Sequence, residues 1–235
     1  MVPVMHRREL GCGCTDGHVS ESVERYLKAI FDLTARVGQA PPTVLAGRVG
    51  VSIPSASAMA KRLEMAGLAR RDGTRGLRLT PHGKQHAVAV VRRHRLLETF
   101  LVRVLDMPWE DVHVEAESLE HAVSDRLLQR IDQHLGHPAR DPHGDPIPSA
   151  SGEHEEAWPE PLTAAVVGRP FRVQRVDDRD PAALRYLGEL GLVPGRVVVL
   201  EERAPFGGPL WVRVDGGARH AIGPALAERV HGESE

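Results

Sequence analysis

Histidine and glutamate residues recur at helical spacing in two neighbouring stretches of the chain. They are His94 and Glu98 in the first stretch, and His113, Glu117, Glu120 and His121 in the second. Residues three or four apart on an α-helix share a face. Imidazole and carboxylate groups together form a ligand set for a divalent first-row metal ion. The spacing therefore predicts a metal site built on two helices.

An ordinary solvated polar helix face is the alternative explanation of this pattern. The apolar residues that alternate with the candidate ligands argue against it; they are Leu96, Leu97, Phe100, Leu101, Leu119, Ala122 and Val123. Helices with such an apolar stripe are half-buried. Their acid and histidine faces are therefore expected to point at another element of the protein.

Composition narrows the class of protein. The chain has 235 residues, enough for one large domain or two to three small ones. Its formal net charge of −2 leaves no global basic field, so any DNA-binding face must be local. Cys12 and Cys14 are the only cysteines, which indicates a reducing cytoplasm rather than a disulfide framework. No secretion signal or membrane-spanning run is expected, because charges interrupt the first residues and no apolar run reaches about 20 residues.

Residues 1–19 show no periodicity and are predicted to be a flexible extension. Cys12 and Cys14, with His18 nearby, either clip a metal ion or are inert residues of a frayed terminus. Residues 20–80 predict a winged helix-turn-helix domain. A first helix begins near Ser20 and ends at Gly38, and two further helices follow, with Thr43 and Ser52 as their caps.

The third helix and the residues after it predict a DNA-binding face. Pro54 lies in the first helical turn, where a missing N–H is tolerated. Apolar and polar residues alternate on both sides of residues 72–76, which predicts a β-hairpin that carries arginines. Such a hairpin is the wing of a winged helix, and its arginines would contact DNA phosphates. The candidate DNA-contacting residues are Ser52, Pro54, Ser55, Ser57, Lys61 and Arg75. A helical interaction domain that never contacts DNA is the alternative.

Residues 81–138 predict a helical domain that carries the candidate ligands. A long helix runs from Pro81 to Leu105, and a second runs from Trp109 to about Leu135 with a kink near Ser124. Residues 139–161 are rich in Pro and Gly and predict a linker. We expect the histidines in and beside it, His137, His143 and His154, to be exposed.

Residues 162–235 change to a period of two, which predicts short strands separated by Gly-containing turns, with one short helix among them. This pattern predicts a small β-barrel. The fold class is therefore α+β: a winged helix-turn-helix, a helical metal-binding and dimerisation domain, and a C-terminal small β-barrel.

Several motifs carry a family resemblance. They are RRHRLLETFL, VHVEAESLEHAVSDRL, RDPHGDPIP, LGELGLVPGRVVVL and APFGGPLWVRVDG. With the winged helix they resemble the diphtheria-toxin-repressor family of metal-dependent transcriptional repressors, and within it the manganese-responsive branch. The last two motifs are similar to the FeoA-like domain that many members carry. The resemblance covers the chain from about Val19 to Val230.

The resemblance implies two metal positions. The primary position would use Glu117, Glu120 and His121. The ancillary position would use His94, Glu98 and His113 with an acid near Asp180, which has Asp177 and Asp178 as neighbours. Glu117 stands where iron-responsive members usually have cysteine, and oxygen in place of sulfur favours Mn²⁺, with Fe²⁺ as the alternative.

One residue departs from the family pattern. Arg25 stands where members have an Asp or Met that completes the primary site, and Lys28 replaces the next acid. A guanidinium cannot ligate a metal ion. Either a neighbouring acid or histidine substitutes, or the site is incomplete, or Arg25 pairs with Glu117 or Glu120. The candidate substitutes are Glu21, Glu24, Asp16 and His18.

The resulting hypothesis is a cytoplasmic metal-sensing repressor of metal-uptake genes. It would bind a palindromic double-stranded operator as a homodimer, so that two recognition helices meet grooves roughly 34 Å apart. The apolar faces of 91–105 and 109–128 would form the dimer interface. An enzyme is not expected, because there is no HExxH motif, and neither is a small-molecule substrate. The alternative is a constitutive DNA-binding regulator whose metal cluster is structural.

Overall fold

The protein is described by a computed structural model that covers residues 19–73, 76–154 and 158–235. The chain divides into two compact units, one ending at Val90 and one running from Val91 to Glu235. None of the helices in these ranges is long and apolar enough to cross a membrane. The predictions that fall outside the described residues concern Cys12, Cys14, Asp16, His18 and Arg75.

The first unit is a helical domain with a hairpin. Its elements are α1 (Glu21–Val37), α2 (Pro42–Val49), α3 (Ile53–Met65), β1 (Ala69–Arg71), β2 (Leu77–Leu79) and the start of α4 (Pro81–Leu105). The first helix ends at Gly38, whose φ of +76° is the left-handed conformation that glycine adopts without strain. Leu27, Ile30, Leu45 and Leu63 are fully buried and form the centre of the core.

The helix pair α2–α3 and the antiparallel hairpin β1–β2 confirm the predicted order of elements. Ser52 caps α3 as predicted, because its Oγ accepts a hydrogen bond from the Ser55 N–H at 3.3 Å. The prediction that Thr43 caps α2 is wrong. That helix begins at Pro42, with Pro41 as its N-cap and no side-chain cap, since proline already has the φ of a first helical residue.

The second unit begins with three helices. The predicted span of α4 from Pro81 to Leu105 is confirmed. The prediction of a single helix from Trp109 to about Leu135 is wrong, because the chain forms α5 (Val112–Leu119) and α6 (Asp125–His134) instead. Ser124 separates them: its backbone is extended, and its Oγ accepts a hydrogen bond from the Leu127 N–H, which starts a new helix rather than a kink.

A six-stranded antiparallel sheet follows. Its elements are β3 (Glu160–Pro161), β4 (Pro170–Val176), α7 (Pro181–Glu189), β5 (Val197–Arg203), β6 (Leu210–Val214), β7 (Arg219–Ile222), α8 (Pro224–Ala227) and β8 (Val230–Ser234). The strand order is β3-β8-β4-β5-β6-β7. Because β3 and β7 do not pair with each other in the described residues, the sheet is open, and the predicted closed barrel is not supported.

The segment 141–148 joins the helices to the sheet, and most of it is buried. Arg92 and Arg95 of α4 donate hydrogen bonds to the carbonyls of Pro148 and Pro146, at 2.5 and 2.6 Å. On the other side, the N–H of Val176 in β4 donates to the carbonyl of His143 at 2.9 Å. The prediction that His143 is an exposed linker residue is therefore wrong, because its side chain is 0% exposed.

Gly144 is the point of closest approach between this segment and β4. Its φ is +86°, and a Cβ at this position would lie 1.9 Å from the carbonyl oxygen of Gln174. We expect Gly144→Ala to lower the free energy of unfolding in urea by about 3 kcal/mol, because the segment must leave the strand. Gly136→Ala is the matched control, since φ is +73° there with nothing within 4 Å, and it should lose only about 1 kcal/mol. If the two variants lost the same free energy of unfolding, the segment 141–148 would be able to move away from β4 without cost.

Candidate metal centre

Ligand atoms from α4 and α5 converge on one point in the second unit. His94 and Glu98 are one turn apart on α4, and His94 Nε2 lies 2.9 Å from Glu98 Oε1. His113 on α5 brings its Nδ1 to 3.1 Å from His94 Nε2 and 3.2 Å from Glu98 Oε1. Glu98 is only 1% exposed. The structure thus brings together the three residues of the expected ancillary group.

Packing between the two helices explains why these side chains meet. Leu97 and Leu101 of α4 form one core cluster with Val112 and Ala116 of α5. On each helix the ligand residues lie beside this apolar stripe, at positions three or four residues apart. Burial of the stripe therefore fixes the distance between the two polar faces.

The loop between β4 and α7 adds a carboxylate. Asp178 Oδ2 lies 3.4 Å from His113 Nδ1. The acid expected here was Asp180, which instead caps α7: its Oδ1 accepts hydrogen bonds from the N–H groups of Ala182 and Ala183. Its other oxygen lies 3.3 Å from Arg229. Asp178 therefore replaces Asp180 as the acid from the C-terminal domain that faces the cluster.

Glu120 holds the far side of the His94 ring. His94 Nδ1 lies 2.5 Å from Glu120 Oε2, and both residues are buried. A carboxylate at this nitrogen keeps a proton on Nδ1. The opposite nitrogen, Nε2, is then directed at Glu98 and His113. Glu120 orients a ligand of the first group in this structure.

The three residues of the expected primary group lie at the C-terminal end of α5 and just beyond it. Glu117 Oε1 lies 3.8 Å from His113 Nε2 with its side chain 41% exposed, and His121 Nε2 lies 3.5 Å from Glu120 Oε1. Glu120 is the C-cap of α5 in a right-handed helical conformation, and its N–H donates to the carbonyl of Ala116 at 2.9 Å.

A second group shares Glu98 and was missed by the sequence analysis. Glu98, Asp141 and His143 have ligand atoms within 4.8 Å of one another, and all three are buried. His143 Nδ1 lies 3.8 Å from Glu98 Oε2. The available signal was the pattern Asp-Pro-His-Gly-Asp, in which acids flank a histidine at every second position. Its Pro and Gly content is also typical of a linker.

Opposed charges set the ionisation of these groups. Burial by itself raises the pKa of the Glu98 carboxyl, but His94 and the hydrogen bond from His113 hold that pKa well below its usual range. Burial lowers the pKa of His143, yet the nearby carboxylates of Glu98, Asp141 and Asp178 outweigh it and raise the pKa to about 10. Burial, with repulsion from Asp145 and Glu98, raises the pKa of Asp141 well above its usual value.

The predicted DNA-contacting residues that the structure describes lie on α3 and just before it, in the first unit. Ser52, Pro54, Ser55 and Lys61 are exposed, and Ser57 is partly buried. Arg25, the residue that departs from the family pattern, lies on α1 with its guanidinium 3.6 Å from the Glu21 carboxylate.

Three domain families match the chain. The iron-dependent repressor N-terminal DNA-binding domain matches residues 18–77. The iron-dependent repressor metal-binding and dimerisation domain matches residues 80–149, and the FeoA domain matches residues 160–234. The fold is therefore a mixed α and β arrangement of a DNA-binding domain, a helical dimerisation domain and a C-terminal sheet domain.

Known proteins resemble the chain over most of its length. The iron-dependent repressor IdeR of Mycobacterium leprae (strain TN) is 34% identical over 195 residues, which are 77% of this chain and 84% of that protein. A solved manganese-dependent transcriptional repressor in complex with manganese has a TM-score of 0.83 at 40% identity, covering 91% of this chain and 100% of that one. The manganese regulator SloR has a TM-score of 0.76 at 31% identity, with coverage of 91% and 98%. The chain therefore belongs to the family of metal-dependent, DNA-binding transcriptional repressors that includes IdeR and the diphtheria toxin repressor.

Proposed function

We propose that this chain represses transcription when a divalent metal ion binds between His94, Glu98 and His113, with Asp178 as a fourth ligand. The observation that carries the proposal is the convergence of two imidazoles and a buried carboxylate from α4 and α5. Asp178 extends this set from the C-terminal domain. A buried carboxylate next to two histidines is expensive to maintain unless protons or a metal ion hold the cluster together.

Mn²⁺ is the proposed ion, with Fe²⁺ as the alternative. The four ligands are nitrogen and oxygen atoms, and the two cysteines of the chain, Cys12 and Cys14, are far from them in sequence. Such a site suits harder divalent ions, although intrinsic affinity is lowest for manganese, so that geometry and metal availability must set selectivity. Relatives described as manganese-dependent and iron-dependent repressors support both ions.

Each residue of the metal centre has a separate role in binding the ion. Glu120 keeps the proton on Nδ1 of His94 and leaves Nε2 for the ion, while Glu98 and Asp178 supply negative charge. A bound ion would supply the positive charge that holds α4, α5 and the loop before α7 together. Repression follows if the DNA-competent state binds the ion more tightly than other states do.

The primary position remains a separate part of the proposal. We infer that Glu117, Glu120 and His121, at the end of α5 and just beyond it, bind a further ion at the primary position. Arg25 supplies no ligand. The His94 centre is therefore the proposed first sensor.

The proposed partner is a palindromic double-stranded operator upstream of metal-uptake genes, bound in the cytoplasm by a homodimer. The contacting residues would be Arg75 and the residues on and before α3, namely Ser52, Pro54, Ser55, Ser57 and Lys61. For the dimer, large apolar side chains are exposed along α5 and α6: Val114, Leu119 and Leu127. An apolar surface in the family's dimerisation domain fits a second copy of the chain.

Metal dependence is tested on duplexes selected from a random library by the wild-type chain with Mn²⁺. We expect EDTA to weaken wild-type binding about 10- to 100-fold in fluorescence anisotropy. Glu98→Gln should bind as weakly with Mn²⁺ as with EDTA. His134→Ala, an exposed histidine on α6, is the control and should respond like wild type. Binding that ignores EDTA would favour a constitutive regulator with a structural cluster.

A triple substitution tests the primary position. Replacing Glu117, Glu120 and His121 by alanine together should abolish metal-dependent binding to the same duplexes, since it removes the primary ligands and the support of His94. Glu117→Ala and His121→Ala alone leave that support in place and report on the primary position itself. Undiminished binding by the triple variant would exclude any role for these residues.

The recognition helix is tested through salt dependence. Lys61 is exposed on α3, and a phosphate contact by its ammonium would release about one counterion. Lys61→Ala should lower the slope of log K against log salt by about 0.9 while Mn²⁺ affinity stays unchanged. Arg126→Ala, an exposed cation on α6, should leave the slope as it is. An unchanged slope for Lys61→Ala would place that residue outside the DNA interface.

A further inference from the structure

A large apolar side chain is exposed at the start of α3. Ile53 is the first residue of that helix and is 52% exposed, whereas Ala56, Ala60 and Leu63 of the same helix are fully buried. A single exposed aliphatic residue is common on protein surfaces. This one, however, lies at the end of the helix that a helix-turn-helix places in the major groove, where the first residues contact base edges. The position of Ile53 therefore makes its exposure informative.

The residues that follow Ile53 offer few hydrogen bonds to a base. Residues 53–60 read Ile-Pro-Ser-Ala-Ser-Ala-Met-Ala and include no Arg, Lys, Asn, Gln, Asp or Glu. Those six types supply the bidentate or accepting contacts by which side chains distinguish guanine, adenine and cytosine in the major groove. The first long polar side chain is that of Lys61, about two helical turns further along α3.

The serine hydroxyls at this end of α3 are bonded within the helix start. Ser52 Oγ accepts a hydrogen bond from the Ser55 N–H at 3.3 Å, and the two hydroxyl oxygens lie 2.8 Å apart, within hydrogen-bond distance. Ser57, one turn further on, is partly buried. The first two turns of α3 thus present mainly methyl and methylene groups to a ligand.

One group in the major groove suits such a surface. The C5 methyl of thymine is an apolar group, and among the four bases only thymine carries it. Isoleucine is branched at Cβ and holds one preferred χ1 rotamer in a helix, so it loses little freedom when it packs against that methyl. Burying one methyl group corresponds to about a fourfold gain in affinity.

We propose that Ile53 packs against the C5 methyl group of a pyrimidine in each half of the palindromic duplex and thereby selects thymine at that position. The inference rests on the proposed function, because α3 must lie in the major groove for the contact to form. The contact recognises the methyl group itself, so 5-methylcytosine should be preferred over cytosine there. The competing explanation is that Ile53 faces the sugar-phosphate backbone or no DNA at all.

Uracil substitution tests the contact, because uracil differs from thymine only in lacking the C5 methyl. Each thymine of a duplex selected by the wild-type chain with Mn²⁺ is replaced by uracil in both half-sites, and binding is followed by fluorescence anisotropy. At one position the wild-type affinity should fall about 15-fold, since two contacts of about fourfold each are lost. Ile53→Ala should bind the thymine and uracil duplexes equally at that position.

Met65→Ala is the matched control. Met65 is a second exposed apolar residue of α3, at the opposite end of the helix, and its variant should keep the wild-type loss on uracil substitution. A second pair of duplexes carries cytosine or 5-methylcytosine at the same position. The wild-type chain should bind the methylated duplex about 15-fold more tightly, and Ile53→Ala should bind both alike.

Three results would overturn the contact with Ile53. They are equal uracil losses in the wild type and in Ile53→Ala, no uracil loss in the wild type at any position, and no wild-type preference for 5-methylcytosine over cytosine. An Ile53-dependent uracil loss in a chain whose DNA binding ignores EDTA would support the contact, and only the metal dependence of the proposed function would fail.

Discussion

A carboxylate buried without compensation destabilises a protein by several kcal/mol, and Glu98 is the residue at which this chain meets that constraint. It is 1% exposed, and three histidines from three different segments face it. Each histidine also has a ring nitrogen close to an oxygen atom of another residue. The partner is Glu120 for His94, the backbone carbonyl of Trp109 for His143, and Asp178 for His113. The positions of α4, α5, the segment 141–148 and the loop before α7 all depend on keeping that charge neutralised.

Much of the architecture could be predicted from periodicity and caps. The span of α4 and the capping of α3 by Ser52 follow from local rules, since a serine oxygen and an apolar stripe act within a few residues. The prediction of a single helix after Trp109 was wrong, because a serine at position 124 is compatible both with a kink in one helix and with the N-cap of a second helix. Only the packing of α5 on α4 decides between them, and that packing is not local information.

The site could be predicted in its helical part and not elsewhere. His94, Glu98 and His113 share faces that spacing alone defines, whereas Asp178 and Asp180 are two residues apart in a loop whose direction depends on the cap of α7. The burial of His143 could not be predicted either. Proline and glycine mark the absence of regular structure, and they do so equally in an exposed linker and in a buried turn such as Asp141–Asp145.

The contacts of the segment 141–148 extend further than the centre itself. On one side it is held by Arg92 and Arg95, and on the other Asp145 pairs with Arg175, whose guanidinium stacks on Trp158 at 3.5 Å. Loss of either side leaves a buried charge without its partner. The helices from Val91 onward and the C-terminal sheet are therefore expected to open and reclose as a single foldon. The FeoA domain thus contributes Arg175 to the contacts that hold the segment 141–148, and its removal would leave the buried Asp145 carboxylate without that cation.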